Sequence, residues 1–401
     1  MPESGNHYLA RVLLHAVSVR VLASVVAAWS HIHTAVPVLR ELQDQGHEVL
    51  VVSGPVECEA LERWGFTVAP VVGGFDARDP ANREPRLMRA HYGSQLRLLA
   101  RGAAVACPAL LELAREFQPD VILRDTYEFA AVTVAESLAI PLAVLGIGVR
   151  PDLAMMANAL QRPMAAMASD VDAGSERPLD RQLAGELWLS PYSPPFSMVE
   201  PMVQEVFVRP SAFSGDWPGE VVIPEAEVYV TLGTVHKDLA LLRRVVEAVA
   251  DDGLTAIVTT GSSATTEELG KVPSGIKVFD YLPQDIVMAR VSATLCHGGW
   301  NTVMTSLLAG RPVAVAPIGM DHPMTGGRLR TLGLGTVIGP ETDPVVPLDL
   351  ASVTAADVRS ALAPLLHDGG YADRCRAFVD ELAALPGPAQ TAELVAELAH
   401  R

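Results

Sequence analysis

The chain has 401 residues, nearly half of them apolar and only 5% aromatic, and carries a net charge of −17 at neutral pH. That length exceeds the usual reach of one hydrophobic core, so two domains of roughly 150–200 residues are expected, and the composition suits an α/β architecture better than a β-sandwich. An acidic balance without a basic cluster excludes nucleic acid and anionic membrane surfaces as partners, because those are bound through stripes of Lys and Arg.

Residues 1–18, MPESGNHYLARVLLHAVS, lack the basic start, continuous apolar run and cleavage site of a signal peptide, and read as an extension ahead of the first domain. No apolar run reaches the length of a membrane span, so stable membrane insertion is not expected. From Val19 the sequence alternates β-branched runs with helical patterns: VRVLASVV, then Val36, Leu39 and Leu42 at helical spacing, then HEVLVV. PDVILRD, FAAVTVAESLA and IPLAVLGIG repeat the alternation, which implies parallel strands with right-handed crossovers. One doubly wound domain therefore spans 19–208. Residues 209–226, with three prolines and two glycines and no helical period, form a linker. A second Rossmann-like domain spans 227–401, through EVYVTLGTV, a helix near 238–250, LTAIVTTG, GIKVFDYLP, SATLCHGG, a helix at 300–309 and PVAVAPIG, with AQTAELVAELAHR as a closing amphipathic helix. Cys58, Cys107, Cys296 and Cys375 lack metal-ligand spacing and are too few for a disulfide framework, which points to a reducing, cytoplasmic compartment.

Open α/β sheets bind ligands beyond the carboxyl ends of their strands, so the residues that follow each strand carry the chemistry. In the first half these are Ser30-His31-Ile32-His33 and Asp125-Thr126-Tyr127-Glu128. A neutral imidazole with a carboxylate on its far nitrogen is a general base near pH 7, which makes His31 and Asp125 a candidate dyad. The alternative is that each caps its own helix. In the second half, Cys296-His297-Gly298-Gly299-Trp300-Asn301-Thr302 follows a strand and opens a helix, with glycines for close backbone approach and donors in the first turn. That is a cradle for an anion, though a Gly-rich turn with an N-cap would share the glycines. Gly233-Thr234 offers a second turn toward the same anion. Tyr281 could stack on a base or sit at the edge of a core. DLAMMANALQRPMAAMA, with four methionines, reads either as a soft surface for an apolar ligand or as a core helix.

The forty-two residues YLPQDIVMARVSATLCHGGWNTVMTSLLAGRPVAVAPIGMDH, 281–322, resemble the donor box of nucleotide-sugar glycosyltransferases that modify small lipophilic molecules. WSHIHTAVPVLRELQDQGHEV resembles the amino-terminal His motif of their actinobacterial antibiotic members, and VYVTLGT, LWLSPYSPPF and the linker tryptophan extend the resemblance over nearly the whole chain. The resemblance implies the GT-B fold, two Rossmann-like domains facing across a cleft, with the donor in the carboxyl-terminal half. It implies His31 as catalytic base, placed fifteen residues before Gly46 in the Gly-His-Glu-Val motif, with Thr34 where the family has its first proline. It places Asp125 as the supporting acid, with Glu128 as runner-up. Tyr281 and the Leu282 backbone would hold the base; His297, Gly299, Asn301, Thr302 and Thr234 the diphosphate; Asp321 and His322 the sugar; Gly298 and Trp300 complete the substrate-binding set. His322 stands where the family has Gln, which favours a thymidine-diphosphate deoxysugar.

Residues 55–95 and 150–200 would form the mouth for a lipophilic, polyketide-like acceptor. The activity implied is inverting, metal-independent sugar transfer: the nucleoside-diphosphate sugar is a co-substrate, no cofactor is implied, and no Asp-x-Asp stands among these motifs to hold a metal. A nucleotide-sugar epimerase on the same scaffold and a non-catalytic helper are the rival readings. The oligomeric state, including a homodimer, stays open.

Overall fold

The computed structural model of the chain describes residues 18–76, 79, 92–216, 221–233, 238–261, 265–342 and 344–401. The extension at 1–17, Thr234 and the linker's Trp217 lie outside them. The first part of the chain runs β1 (Arg20–Ser24), α1 (Trp29–Asp44), β2 (Glu48–Ser53), α2 (Pro55–Arg63), β3 (Thr67–Pro70), α3 (Tyr92–Phe117), β4 (Val121–Asp125), α4 (Ala130–Leu138), β5 (Leu142–Leu145), α5 (Leu153–Asp170), α6 (Leu179–Ala184), β6 (Leu187–Ser190) and β7 (Glu205–Phe207). The second runs β8 (Val228–Thr231), α7 (Leu239–Asp251), β9 (Ala256–Thr259), α8 (Thr266–Leu269), β10 (Ile276–Phe279), α9 (Gln284–Met288), β11 (Ala293–Cys296), α10 (Trp300–Leu308), β12 (Val313–Val315), α11 (His322–Leu332), β13 (Gly335–Val337), α12 (Ala355–His367), α13 (Gly369–Ala383) and α14 (Pro388–Leu398).

Strands β1–β7 form one parallel sheet in the order 3-2-1-4-5-6-7, and β8–β13 a second in the order 10-9-8-11-12-13. Both orders reverse beside the first strand of the sheet, between β1 and β4 and between β8 and β11, the place where a doubly wound sheet opens a crevice for ligand. The central strands are buried on both faces, as their unbroken apolar runs require. On one face of the first sheet Leu22, Ile122 and Val144 pack against α3, α4 and α5; on the other Val21, Val51 and Leu123 pack against α1, whose Ile32, Val36, Leu39 and Leu42 recur at helical spacing.

The structure places one helix unexpectedly and decides between the two readings of another segment. The closing helix α14 follows the second sheet in sequence, yet Ala392, Val395 and Leu398 enter the core of the first sheet, against α1. Its apolar stripe needs a partner face, and the exposed flank of α1 supplies one. The methionine-rich segment is a core helix: Met156, Met164 and Met167 are buried against α3 and α4, while Met155 alone points outward. Residues 150–200 therefore contribute nothing to the cleft wall. Part of that stretch, Tyr192 and Phe196, crosses instead into the core beneath α10.

Candidate active site

Between the carboxyl ends of the two sheets lies a cleft of about 600 Å³. Its walls come from both halves of the chain, and the residues after β1, β4, β8 and β11 all reach it, because those four strands flank the two switch points.

On the first-sheet side α1 begins directly after β1 and places His31 in its first turn. Asp125 ends β4, one strand away. Asp125 Oδ2 lies 3.1 Å from His31 Nδ1, with the imidazole open to the cleft and the carboxylate buried. The same Oδ2 accepts from the Val26 amide at 2.7 Å, while Oδ1 accepts from the amides of Tyr127 and Glu128 at 2.7 and 3.1 Å. Burial by itself would raise the Asp125 carboxyl, but the His31 ring and these amides outweigh it and hold it below the usual carboxylate range. The capping alternative is thus half right for Asp125, which caps its own turn with one oxygen and holds His31 with the other. Glu128 is not part of the dyad. Its carboxylate accepts from the amides of Ala130 and Ala131 at 3.1 and 2.8 Å and caps α4.

His33 is turned away from the dyad, into an aromatic cluster with Trp29, Trp64 and Phe213. Burial there lowers its pKa to about 4, so the ring is neutral at physiological pH. These rings, with Phe75, Leu96 and Leu99, give the cleft its apolar wall. The expectation that residues 55–95 form the acceptor mouth accounts for Trp64 and Phe75, but not for Leu96, Leu99 and Phe213. Trp64, Phe213 and Leu96 come from three separate elements, and no local pattern marks them as neighbours. Tyr127 had a signal, since it stands two residues after Asp125. Its hydroxyl meets that of Tyr92 at 3.2 Å on the cleft wall.

On the second-sheet side the His297 ring is held between two glycines. A β-carbon on Gly233 or on Gly299 would overlap the imidazole, so both positions need glycine. Gly298, at φ +97°, lets the chain turn past Val315 and His322. Gly299 is the N-cap of α10 and has no side chain with which to cap it, which leaves the first-turn amides facing the cleft as donors for an anion. Thr302 accepts from Gln284 Nε2 at 3.0 Å. Tyr281 lines the cleft and donates its hydroxyl to the Ser214 carbonyl, and the Leu282 side chain is buried beneath it.

Three predicted residues stand differently from the sequence reading. Trp300 borders the cleft but its ring is buried edge-on against Tyr192 and Phe196. Asn301 turns its side chain to α1, accepting from Thr34 Oγ1 at 2.7 Å and donating to the Ser30 carbonyl at 2.9 Å. His322 is buried, perpendicular to His297 at 4.7 Å between ring centroids, with Nδ1 accepting from the Gly319 amide at 3.4 Å. Asp321 reaches across to Gly148, where a β-carbon would come within 2.9 Å of its carboxylate. Burial raises the Asp321 carboxyl above its ordinary value, partly countered by its own backbone amide and by His31. The chain does contain an Asp-x-Asp, Asp170 and Asp172, but it lies at the end of α5 and neither residue lines the cleft.

Residues 243–398 match the family model described as the C-terminal domain of erythromycin biosynthesis protein CIII-like proteins. The chain is 28% identical to the elloramycin glycosyltransferase ElmGT of Streptomyces olivaceus, over 93% of this chain and 96% of that one. It is 25% identical to the aclacinomycin-T 2-deoxy-L-fucose transferase of Streptomyces galilaeus, over 94% and 96% of the two chains. Among solved structures it superposes on the glycosyltransferase VinC in complex with dTDP at a TM-score of 0.77, with 21% identity, over 95% of this chain and all of that one. With two parallel α/β domains facing across a shared cleft and relatives of this kind along nearly its whole length, the chain is a glycosyltransferase of the GT-B fold, similar to those of antibiotic biosynthesis.

Proposed function

We propose that the protein transfers a deoxysugar from thymidine diphosphate to a hydroxyl of a polyketide-like natural product, in the cytoplasm, with inversion and without a metal. The carrying observation is that the His31–Asp125 pair and the amino terminus of α10 open on one cleft. With Nδ1 engaged by Asp125, Nε2 of His31 is the proton acceptor. It takes the proton of the acceptor hydroxyl as that oxygen forms its bond to the anomeric carbon, and the bond from that carbon to the diphosphate breaks. The diphosphate leaves with the electron pair and meets the α10 amides and the positive end of the helix dipole. Attack from the side opposite the leaving group inverts the anomeric centre, and amide stabilisation of the leaving group takes the place of a metal.

Two observations support the choice of substrates. The wall of Trp29, Trp64 and Phe213 suits an apolar acceptor, which an epimerase would not need. His322 is packed onto His297, which leaves Asp321 to meet sugar hydroxyls from the second sheet and suits a sugar with few of them. The relative named for 2-deoxy-L-fucose transfer and the dTDP complex of VinC agree with that donor. The test is incubation with thymidine-diphosphate deoxysugars or uridine-diphosphate glucose and a panel of polyketide aglycones, with and without EDTA, read by mass and by anomeric coupling in NMR. A product of inverted configuration, EDTA-insensitive and faster from the deoxysugar donor, is expected. A retained anomer, or a preference for uridine-diphosphate glucose, overturns the corresponding part. Epimerised donor or no turnover at all replaces the reading with one of its rivals.

A further inference from the structure

The first turn of α10 touches more than the cleft. Two consecutive side chains in it meet the first part of the chain: Trp300 packs edge-on against Tyr192 and Phe196, which cross beneath α10, and Asn301 reaches α1. The Asn301 amide is paired at both ends. A carbonyl can only accept, so the nitrogen faces Ser30 O, at 2.9 Å, and the oxygen faces the Thr34 hydroxyl, at 2.7 Å, whose single proton is shared between Asn301 and Ser30 O, the latter at 2.9 Å. Ser30 and Thr34 are one helical turn apart and enclose His31 between them. The side chain therefore clasps the single turn of α1 that carries the base, from the helix that forms the anion cradle.

We propose that Asn301 is a positioning residue for His31, which transmits occupation of the anion cradle to the orientation of the imidazole rather than donating to the diphosphate itself. The inference rests on the reading of His31 as base and of α10 as the cradle. Its physical content is a distance. A diphosphate drawn onto the α10 amides fixes the first turn of that helix, and Asn301, as part of that turn, fixes the Ser30–Thr34 turn relative to it. A base displaced by a fraction of an ångström loses its alignment with the acceptor hydroxyl, at a cost of about ten- to a hundredfold in turnover.

The test is a double-mutant cycle of Thr34→Val and Asn301→Ala, with Thr34→Ser as the conservative variant. Turnover is measured at saturating donor, and affinity for thymidine and uridine diphosphate by calorimetry. Thr34→Val is expected to lower kcat roughly tenfold with unchanged nucleotide affinity, and Thr34→Ser to restore it. Asn301→Ala is expected to lose at least as much, and the double variant no more than Asn301→Ala, because one contact is being removed twice. A second readout needs no turnover: nucleoside diphosphate is expected to shift the His31 ring resonances of the wild type and to leave them unmoved in Asn301→Ala. If that shift is seen in a protein that transfers no sugar, the coupling stands and the functional reading falls. Additive effects, or a tenfold loss of nucleotide affinity in Asn301→Ala with Thr34→Val at wild-type turnover, would assign Asn301 to the diphosphate and overturn the proposal.

Discussion

Asp125 Oδ2 and His31 Nδ1 meet at 3.1 Å across the switch point of the first sheet, where the ends of β1 and β4 lie side by side. The carboxylate is fixed by three backbone amides, so the direction in which the imidazole presents its other nitrogen is set by the main chain. His31→Ala is expected to abolish transfer while leaving nucleotide affinity intact, because the proposed function puts the nucleotide on the other sheet. His33→Ala removes an aromatic-wall contact and is expected to act on the acceptor KM instead. Steady-state kinetics with nucleotide calorimetry separates the two, and equal loss of kcat in both variants would sink the assignment of the base.

Asp125→Asn keeps the size of the side chain but replaces the acceptor facing His31 by an amide that cannot stabilise an imidazolium. A fall in kcat on the order of 10²-fold or more is expected, with the fold retained. Circular dichroism and rate measurements on one preparation check this, and a variant of undiminished rate contradicts the dyad.

Gly299→Ala tests the anion cradle. Its backbone is in an ordinary extended conformation, so the substitution strains nothing by itself, but the new methyl overlaps the His297 ring. The ring cannot withdraw freely, since His322 packs against it. Nucleoside-diphosphate affinity is expected to fall at least about tenfold, equivalent to about 1.4 kcal/mol, with acceptor binding unaffected. Calorimetry showing wild-type affinity would remove His297 and Gly299 from the cradle.

His33 carries a pH dependence of stability. Its pKa is lowered from 6.5 to about 4 by burial, so the unfolded chain takes up a proton at a pH where the folded one does not. The stabilising contribution of the neutral ring is complete above 6.5 and is lost as pH falls from 6.5 toward 4. At about pH 5 the loss amounts to roughly 2 kcal/mol at most. His33→Phe is expected to lower the drop in Tm between about pH 7 and about pH 5 relative to wild type. Identical drops in the two proteins would show that His33 is not buried as a neutral ring.

What the sequence by itself determined follows from local rules. Parallel strands buried on both faces must be short apolar runs, helices between them must carry an apolar stripe, and a turn that passes an imidazole within contact distance must be glycine. Those constraints made both sheets, the crossovers and the glycine turn at Gly298-Gly299 readable from neighbouring residues, whereas the roles given to His31 and Asp125 rested on the family resemblance and not on local spacing. Only the tertiary structure decided which face each helix found and which distant residues met. The stripe of α14 says that it needs a partner, but α1, near the other end of the chain, became that partner because its flank was open. The methionines of α5 would suit a ligand or a core, and packing against α3 chose the core. Asn301 has the same local pattern whether it faces phosphate or protein. Its contact with Ser30 and Thr34 exists because two separately wound sheets bring their switch points face to face, and no spacing along the chain encodes that approach.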